Sequence, residues 1–89
     1  MITFHFTKSA EKAFLRLPKI VQKRVIEKLQ ELKTHDDILS ILKPLTHFDP
    51  ATHRLRIGMY RLILALKVQT QIDFEFWILD IGHRKDIYR

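Results

Sequence analysis

Cysteine is absent from this 89-residue chain, so neither a disulfide framework nor a thiolate zinc site can supplement the packing of its core. Glycine occurs only twice, which leaves no glycine-rich loop to cradle a phosphate. No stretch approaches the roughly eighteen apolar residues of a membrane span. The opening residues Met1-Ile-Thr-Phe-His5 lack a basic segment followed by a long apolar one, so no signal peptide is expected and the cytoplasm is the expected compartment. No two histidines show ligand spacing beside a carboxylate, and neither a metal nor a cofactor is expected. Acidic residues are also in short supply. Ten Asp and Glu face sixteen Lys and Arg, for a net charge of +6 and an isoelectric point near 9.9, a balance that favours phosphate-rich partners.

What is present is a globular composition, 46% hydrophobic and 29% charged, which excludes wholesale disorder. A chain this short leaves room for one domain, residues 1–89, with one core. Ile2-Thr-Phe-His-Phe6 alternates apolar and polar residues, predicting a first strand with Ile2, Phe4 and Phe6 on one face. Thr7 is placed to cap a helix in which Ala10, Ala13, Phe14 and Leu17 form one stripe, and Pro18 ends it. From Lys19 to about Thr34 a second helix is predicted, with Ile20, Val21, Val25, Ile26, Leu29 and Leu32 facing inward and Lys23, Arg24, Glu27, Lys28 and Glu31 facing water. Residues 35–52 mix turn formers with polar groups and read as a long connection tethered by Ile38, Leu39, Ile41 and Leu42. A loop of that length in a small domain either has a task or contains a short helical turn.

The C-terminal half carries the chemistry. His53–Ile57 and Tyr60–Lys67 are strand-like runs joined by Gly58-Met59, the signature of a two-residue hairpin. The turn sets Ile57 opposite Tyr60, Arg56 opposite Arg61, Leu55 opposite Leu62 and Arg54 opposite Ile63. Leu55, Ile57, Tyr60, Leu62, Leu64 and Leu66 then share the face that packs on the helices, and the arginines occupy the other. A third strand, Ile72–Ile81, is expected to pair so that Lys67 meets Asp73 and Phe74, Phe76 and Ile78 join the helix face. This register sets Trp77 opposite Ile63 and Leu79 opposite Arg61, on a face that needs a cover from the C-terminal tail or a partner. Gly82 is expected to break this strand. The result is an α+β fold, two N-terminal helices on one face of a small, mainly antiparallel sheet.

Five of the seven arginines lie from residue 54 onward: Arg54, Arg56, Arg61, Arg84 and Arg89. Arginines opposite one another repel, and an anion relieves the repulsion; the guanidinium fork grips phosphate in two-bond geometry that lysine cannot copy. A solvated sheet surface is the plainer reading of such a cluster. His83 follows a glycine at a strand end beside Arg84, where an imidazole can project over the sheet. Tyr88, by its residue type, either packs the tail down or stacks on a ligand.

Arg54-Leu-Arg-Ile-Gly-Met-Tyr-Arg61, then Phe76-Trp-Ile-Leu-Asp-Ile-Gly-His-Arg84 and Asp86-Ile-Tyr88, in this order and after two helices containing Leu15-Arg-Leu-Pro18, resembles the RelE toxins of the RelE/ParE superfamily over nearly the whole chain. The resemblance implies a toxin of a type II toxin–antitoxin system, a metal-independent endoribonuclease that cleaves mRNA in the ribosomal A site and is silenced by a cognate antitoxin. Operator DNA is then a partner only through the antitoxin complex. It also implies roles for residues: Arg54 and Arg56 contact RNA and assist catalysis, with Lys85 and Arg89 adding to RNA binding. Arg61 and Arg84 stabilise the scissile phosphate, His83 acts as acid or base, and Tyr88 stacks on or activates the nucleotide. Met59 departs from the family, standing where an acidic residue is frequent. Two other functions fit a basic chain of this kind: a ParE-type inhibitor of DNA gyrase on the same fold, and a non-catalytic module that binds antitoxin or nucleic acid.

Overall fold

A computed structural model describes residues 1–87. The elements follow in the order β1 (Ile2–Phe6), α1 (Lys8–Leu15), α2 (Lys19–Leu32), α3 (Ile38–Ile41), β2 (Lys43–Pro44), β3 (His53–Ile57), β4 (Tyr60–Gln69) and β5 (Phe74–His83). The strands form one sheet in the order β1-β5-β4-β3-β2. Every pairing is antiparallel except that of β1 with β5, which is parallel. Between β1 and its parallel partner β5 the chain passes first through the helices, which cover one sheet face, and then through β2, β3 and β4, so the α+β architecture read from the sequence is the one observed.

Local chemistry explains the helix starts. The Thr7 hydroxyl accepts the Ala10 N–H at 3.1 Å and donates to the Ile78 carbonyl at 3.1 Å, so one side chain both caps α1 and ties it to β5. Pro18 stands at the N-cap of α2, where its missing N–H costs nothing. On α2, Val21, Val25, Leu29 and Leu32 are buried against the sheet, but Ile20 is 59% exposed and Ile26 is 40% exposed, contrary to the inward placement expected of both. The buried stripe steps by four from Val21 to Leu29 and by three to Leu32, and Ile26 lies beside it, where it lines a shallow groove with Phe14, Lys19, Gln22, Lys23 and Glu27. The connection 35–52 contains the short α3 and the two-residue β2. Ile38 and Leu42 tether it to the core as expected, whereas Ile41 points to solvent.

The hairpin has the register that its turn dictates, from Ile57 opposite Tyr60 to Arg54 opposite Ile63. Gly58 has φ of 59°, a left-handed conformation that glycine adopts without steric penalty. The next pairing corrects the sequence reading. Leu66 faces Phe76, Leu64 faces Ile78 and Ala65 faces Trp77, and irregularities on both sides shift the ladder by one more residue, so that Arg61 faces Gly82 and Tyr60 faces His83. Lys67 therefore does not meet Asp73. Asp73 instead closes a turn in which its N–H donates to the Thr70 hydroxyl at 2.9 Å, and its carboxylate lies 3.2 Å from the N-terminal amine. An exposed cross-strand ion pair is worth too little to compete with a closed turn and a second strand pairing. Nor does Gly82 break β5, which runs through it to His83.

The core comprises Ile2, Ala10, Val21, Val25, Leu29, Leu32, Ile38, Leu42, Leu55, Leu62, Leu64, Phe76, Ile78 and Ile81. Phe4 stacks on Phe76, with ring centroids 5.6 Å apart. Because side chains alternate across a strand, burying these residues on the helix side forces Arg54, Arg56, Arg61, Ile63, Trp77 and His5 onto the opposite, helix-free face.

Candidate nucleic-acid interface

The helix-free face is cationic at its hairpin end. Arg56 and Arg61 are direct cross-strand partners; Arg54, two residues from Arg56, faces Ile63 on one side and Lys43 of β2 on the other. Their environments differ. Arg56 is exposed and its Nε–H donates to the Gly58 carbonyl at 3.5 Å, and Arg54 is half-buried. Arg61 is only 8% exposed, and its Nη1 donates to the Tyr60 carbonyl at 3.2 Å and the Gly58 carbonyl at 3.5 Å.

A buried arginine on a face without helices has a local explanation. Its cross-strand neighbour on β5 is Gly82, which offers no side chain, and the C-terminal turn folds Ile87 back over that glycine. A Cβ on Gly82 would lie 3.2 Å from Ile87 Cδ1. Arg61 is thus both a phosphate candidate and a brace for the hairpin turn. Ile87 thus lies against the hairpin end of this face, beside Gly82.

His83 is not among the arginines. It pairs with Tyr60, their rings meet edge to face with centroids 5.5 Å apart, and Tyr60 packs against the core, so the imidazole lies on the helix side of the sheet. It can meet a substrate held by Arg56 and Arg61 only around the sheet's rim. The Lys85 N–H donates to His83 Nδ1 at 3.2 Å, a contact that in the neutral ring places the proton on Nε2. Arg84 and Lys85 are exposed in the turn that follows, and the Arg84 N–H donates to the Met59 carbonyl at 2.8 Å, which holds this turn against the hairpin loop. Tyr88 and Arg89 lie outside the described residues.

Two features of the site were not legible in the sequence. One is the contact of Tyr60 with His83, which depends on the β4–β5 register. The other is a stack at the far end of the helix-free face: His5 on Trp77, with centroids 4.7 Å apart and planes inclined by 27°. This contact needs the parallel pairing of β1 with β5, which no local pattern announces. Among the described residues no three His, Asp or Glu side chains gather as a metal site, and no helix is long and apolar enough to cross a membrane.

No protein-family model and no curated protein matches the chain. Solved structures do. A chain of the RelBE2 toxin–antitoxin complex of Mycobacterium tuberculosis is 28% identical with a TM-score of 0.73, the match covering 92% of this chain and 96% of that one. A chain of the RelB–RelE antitoxin–toxin complex of Methanococcus jannaschii matches with 23% identity and a TM-score of 0.67, over 94% of both chains. A chain of the intact E. coli RelBE complex matches with 17% identity and a TM-score of 0.64, over 91% of this chain and 94% of that one. The fold is thus a RelE-like α+β fold. The resemblance to RelE-like toxins drawn from the sequence holds along nearly the full length of the chain.

Proposed function

We propose that this protein is the toxin of a type II toxin–antitoxin pair, an endoribonuclease that cuts mRNA in the ribosomal A site and is held inactive by a cognate antitoxin. The observation that carries the reading is the gathering of Arg54, Arg56 and Arg61 at the hairpin end of the helix-free face, in a fold shared with chains of toxin–antitoxin complexes. The cytoplasm, where messages are translated, is the compartment that goes with this reading, and operator DNA is reached only through the antitoxin.

The reaction needs little beyond what such a face supplies. The 2′-hydroxyl of the message loses its proton and O2′ bonds to phosphorus. The bond to O5′ then breaks and O5′ gains a proton, leaving a 2′,3′-cyclic phosphate and a 5′-hydroxyl. Charge accumulates on the phosphorane oxygens, and donors already aimed at that position stabilise it most, because they need not reorganise. Arg61 meets this condition: the Tyr60 and Gly58 carbonyls fix its guanidinium plane, and burial strengthens its field. Arg84, carried by the turn held to Met59, is the second phosphate ligand. Arg54, Arg56, Lys85 and Arg89 hold the RNA backbone, which makes binding fall steeply with salt. His83, at the rim, moves a proton through Nε2, and Tyr88 stacks on the nucleotide or assists that transfer.

Primer extension on a message in a purified translation system tests the reading, comparing wild type with Arg56→Ala, Arg61→Ala and His83→Ala, with and without ribosomes. Cuts confined to the A-site codon, dependent on ribosomes and lost in the arginine variants, are the expected outcome. Intact message with a folded wild-type protein overturns the proposal.

A further inference from the structure

The helix-free face divides into two chemically different halves. Arg54, Arg56 and Arg61 occupy the hairpin half. At the other end His5 stacks on Trp77, and the His5 Nε2 lies 3.4 Å from the Glu75 carboxylate, with 40% of the imidazole side chain exposed. Ile63 and Ala65 form the apolar floor between the halves. Ala65, directly opposite Trp77, is 1% exposed although no helix lies over it.

We propose that the His5–Trp77 pair is a base-stacking subsite that receives a nucleobase of the single-stranded RNA whose phosphates lie on Arg54 and Arg56. The inference rests on the RNA-cleaving reading given above and adds to it a second contact region on the same face.

Three observations carry it. First, a half-exposed stack of two flat rings on the same face as three arginines, with Asp80 opposite Ile63 between them, is the pairing of features by which proteins hold single strands: charge for the backbone and aromatic faces for the bases. Second, Glu75 fixes what this end accepts. A carboxylate repels phosphate but accepts hydrogen bonds from the exocyclic amino group of adenine, cytosine or guanine, so the backbone is directed to the arginine half and the base to this one. Third, the spacing fits. Arg54 and Trp77 are two strands apart and two residues offset along β4, which at ordinary sheet spacing separates their Cα atoms by about 12 Å. A dinucleotide with extended backbone bridges such a gap.

Trp77 is the one tryptophan of the chain, so its emission reports on the stack directly. The experiment titrates the full-length protein with a short, uncleavable 2′-O-methyl oligonucleotide and with an abasic oligomer of equal charge, following anisotropy of a label on the oligomer and indole emission in parallel. The proposal expects the base-containing strand to quench Trp77 and the abasic strand to bind more weakly without quenching. It also expects His5→Ala, at a half-exposed position on the edge strand, to weaken the base-containing strand about fivefold and to leave the abasic strand unaffected. Binding by anisotropy with unchanged emission, and equal affinity in His5→Ala, overturns the stacking subsite while the nuclease reading stands. Absence of binding by either strand to the folded protein, even at low salt, overturns both.

Discussion

The two faces of the one sheet are built from the same strands and could hardly differ more. On the helix side Leu62, Leu64, Phe76 and Ile78 are fully buried and hydrophobic burial does the holding. One residue away along each strand, the other side presents Arg54, Arg56, Ile63, Trp77 and Glu75. The first face is a packing problem solved by shape. The second is a charged surface whose mutual repulsion is tolerated because the first supplies the stability. Arg61 belongs to both: it faces the helix-free side but is buried and bonded like a core residue.

The comparison breaks most visibly at Phe76. Truncation to Ala, at the centre of the packed face, is expected to cost about 3–5 kcal/mol, enough to unfold a large share of a domain of this size. Urea denaturation followed by circular dichroism measures it. The arginines sharpen the contrast. Arg61→Ala removes charged hydrogen bonds to the hairpin carbonyls and is expected to cost about 1.5–3 kcal/mol in addition to activity. Arg56→Ala, exposed on the same face, is expected to change stability by less than about 0.5 kcal/mol while lowering RNA affinity. Equal stability losses in the two variants in the same denaturation experiment would erase the distinction drawn between them.

A stability effect between those of the two arginines is expected at the turn that sets the register of both faces. Gly58→Ala places a side chain at φ of 59° and is expected to cost about 1–2 kcal/mol, read as a lower thermal midpoint with the fold retained. The smallest effect is a pH dependence on the helix side. Desolvation by burial lowers the pKa of His53 below its ordinary 6.5, and its ring lies edge-on to Phe76. The folded state thus binds the proton less readily than the unfolded one. The His53 contribution is complete above the unfolded value and is lost as pH falls through 6.5 towards the lower folded value. His53→Gln is expected to flatten that part of the stability profile between neutral and mildly acidic pH.

How far the sequence reaches depends on the range of the interaction that decides each feature. The Thr7 cap, the start of α2 after Pro18 and the hairpin register were all legible, because each is set within a few residues by a hydroxyl, a ring or a left-handed glycine. The arginine face followed from the register by alternation alone. The pairing of β5 was not legible: the Lys67–Asp73 ion pair looked decisive, yet the Thr70 turn, the N-terminal amine and the parallel partner β1 outweigh it. Every site feature that depends on that pairing was displaced with it. Arg61 lies opposite Gly82 rather than Leu79, and His83 lies beside Tyr60 rather than over the arginines.

The amino-acid sequence by itself determined the α+β composition of layers, the hairpin and the gathering of positive charge on one face, since period, turn chemistry and alternation are local rules. Tertiary structure alone decided that Arg61 is buried, that His83 stands on the other side of the sheet, and that His5 reaches Trp77. Those outcomes depend on which distant strands pair and where their ladders slip, and a strand's own side chains state which face is apolar without stating which neighbour it will meet.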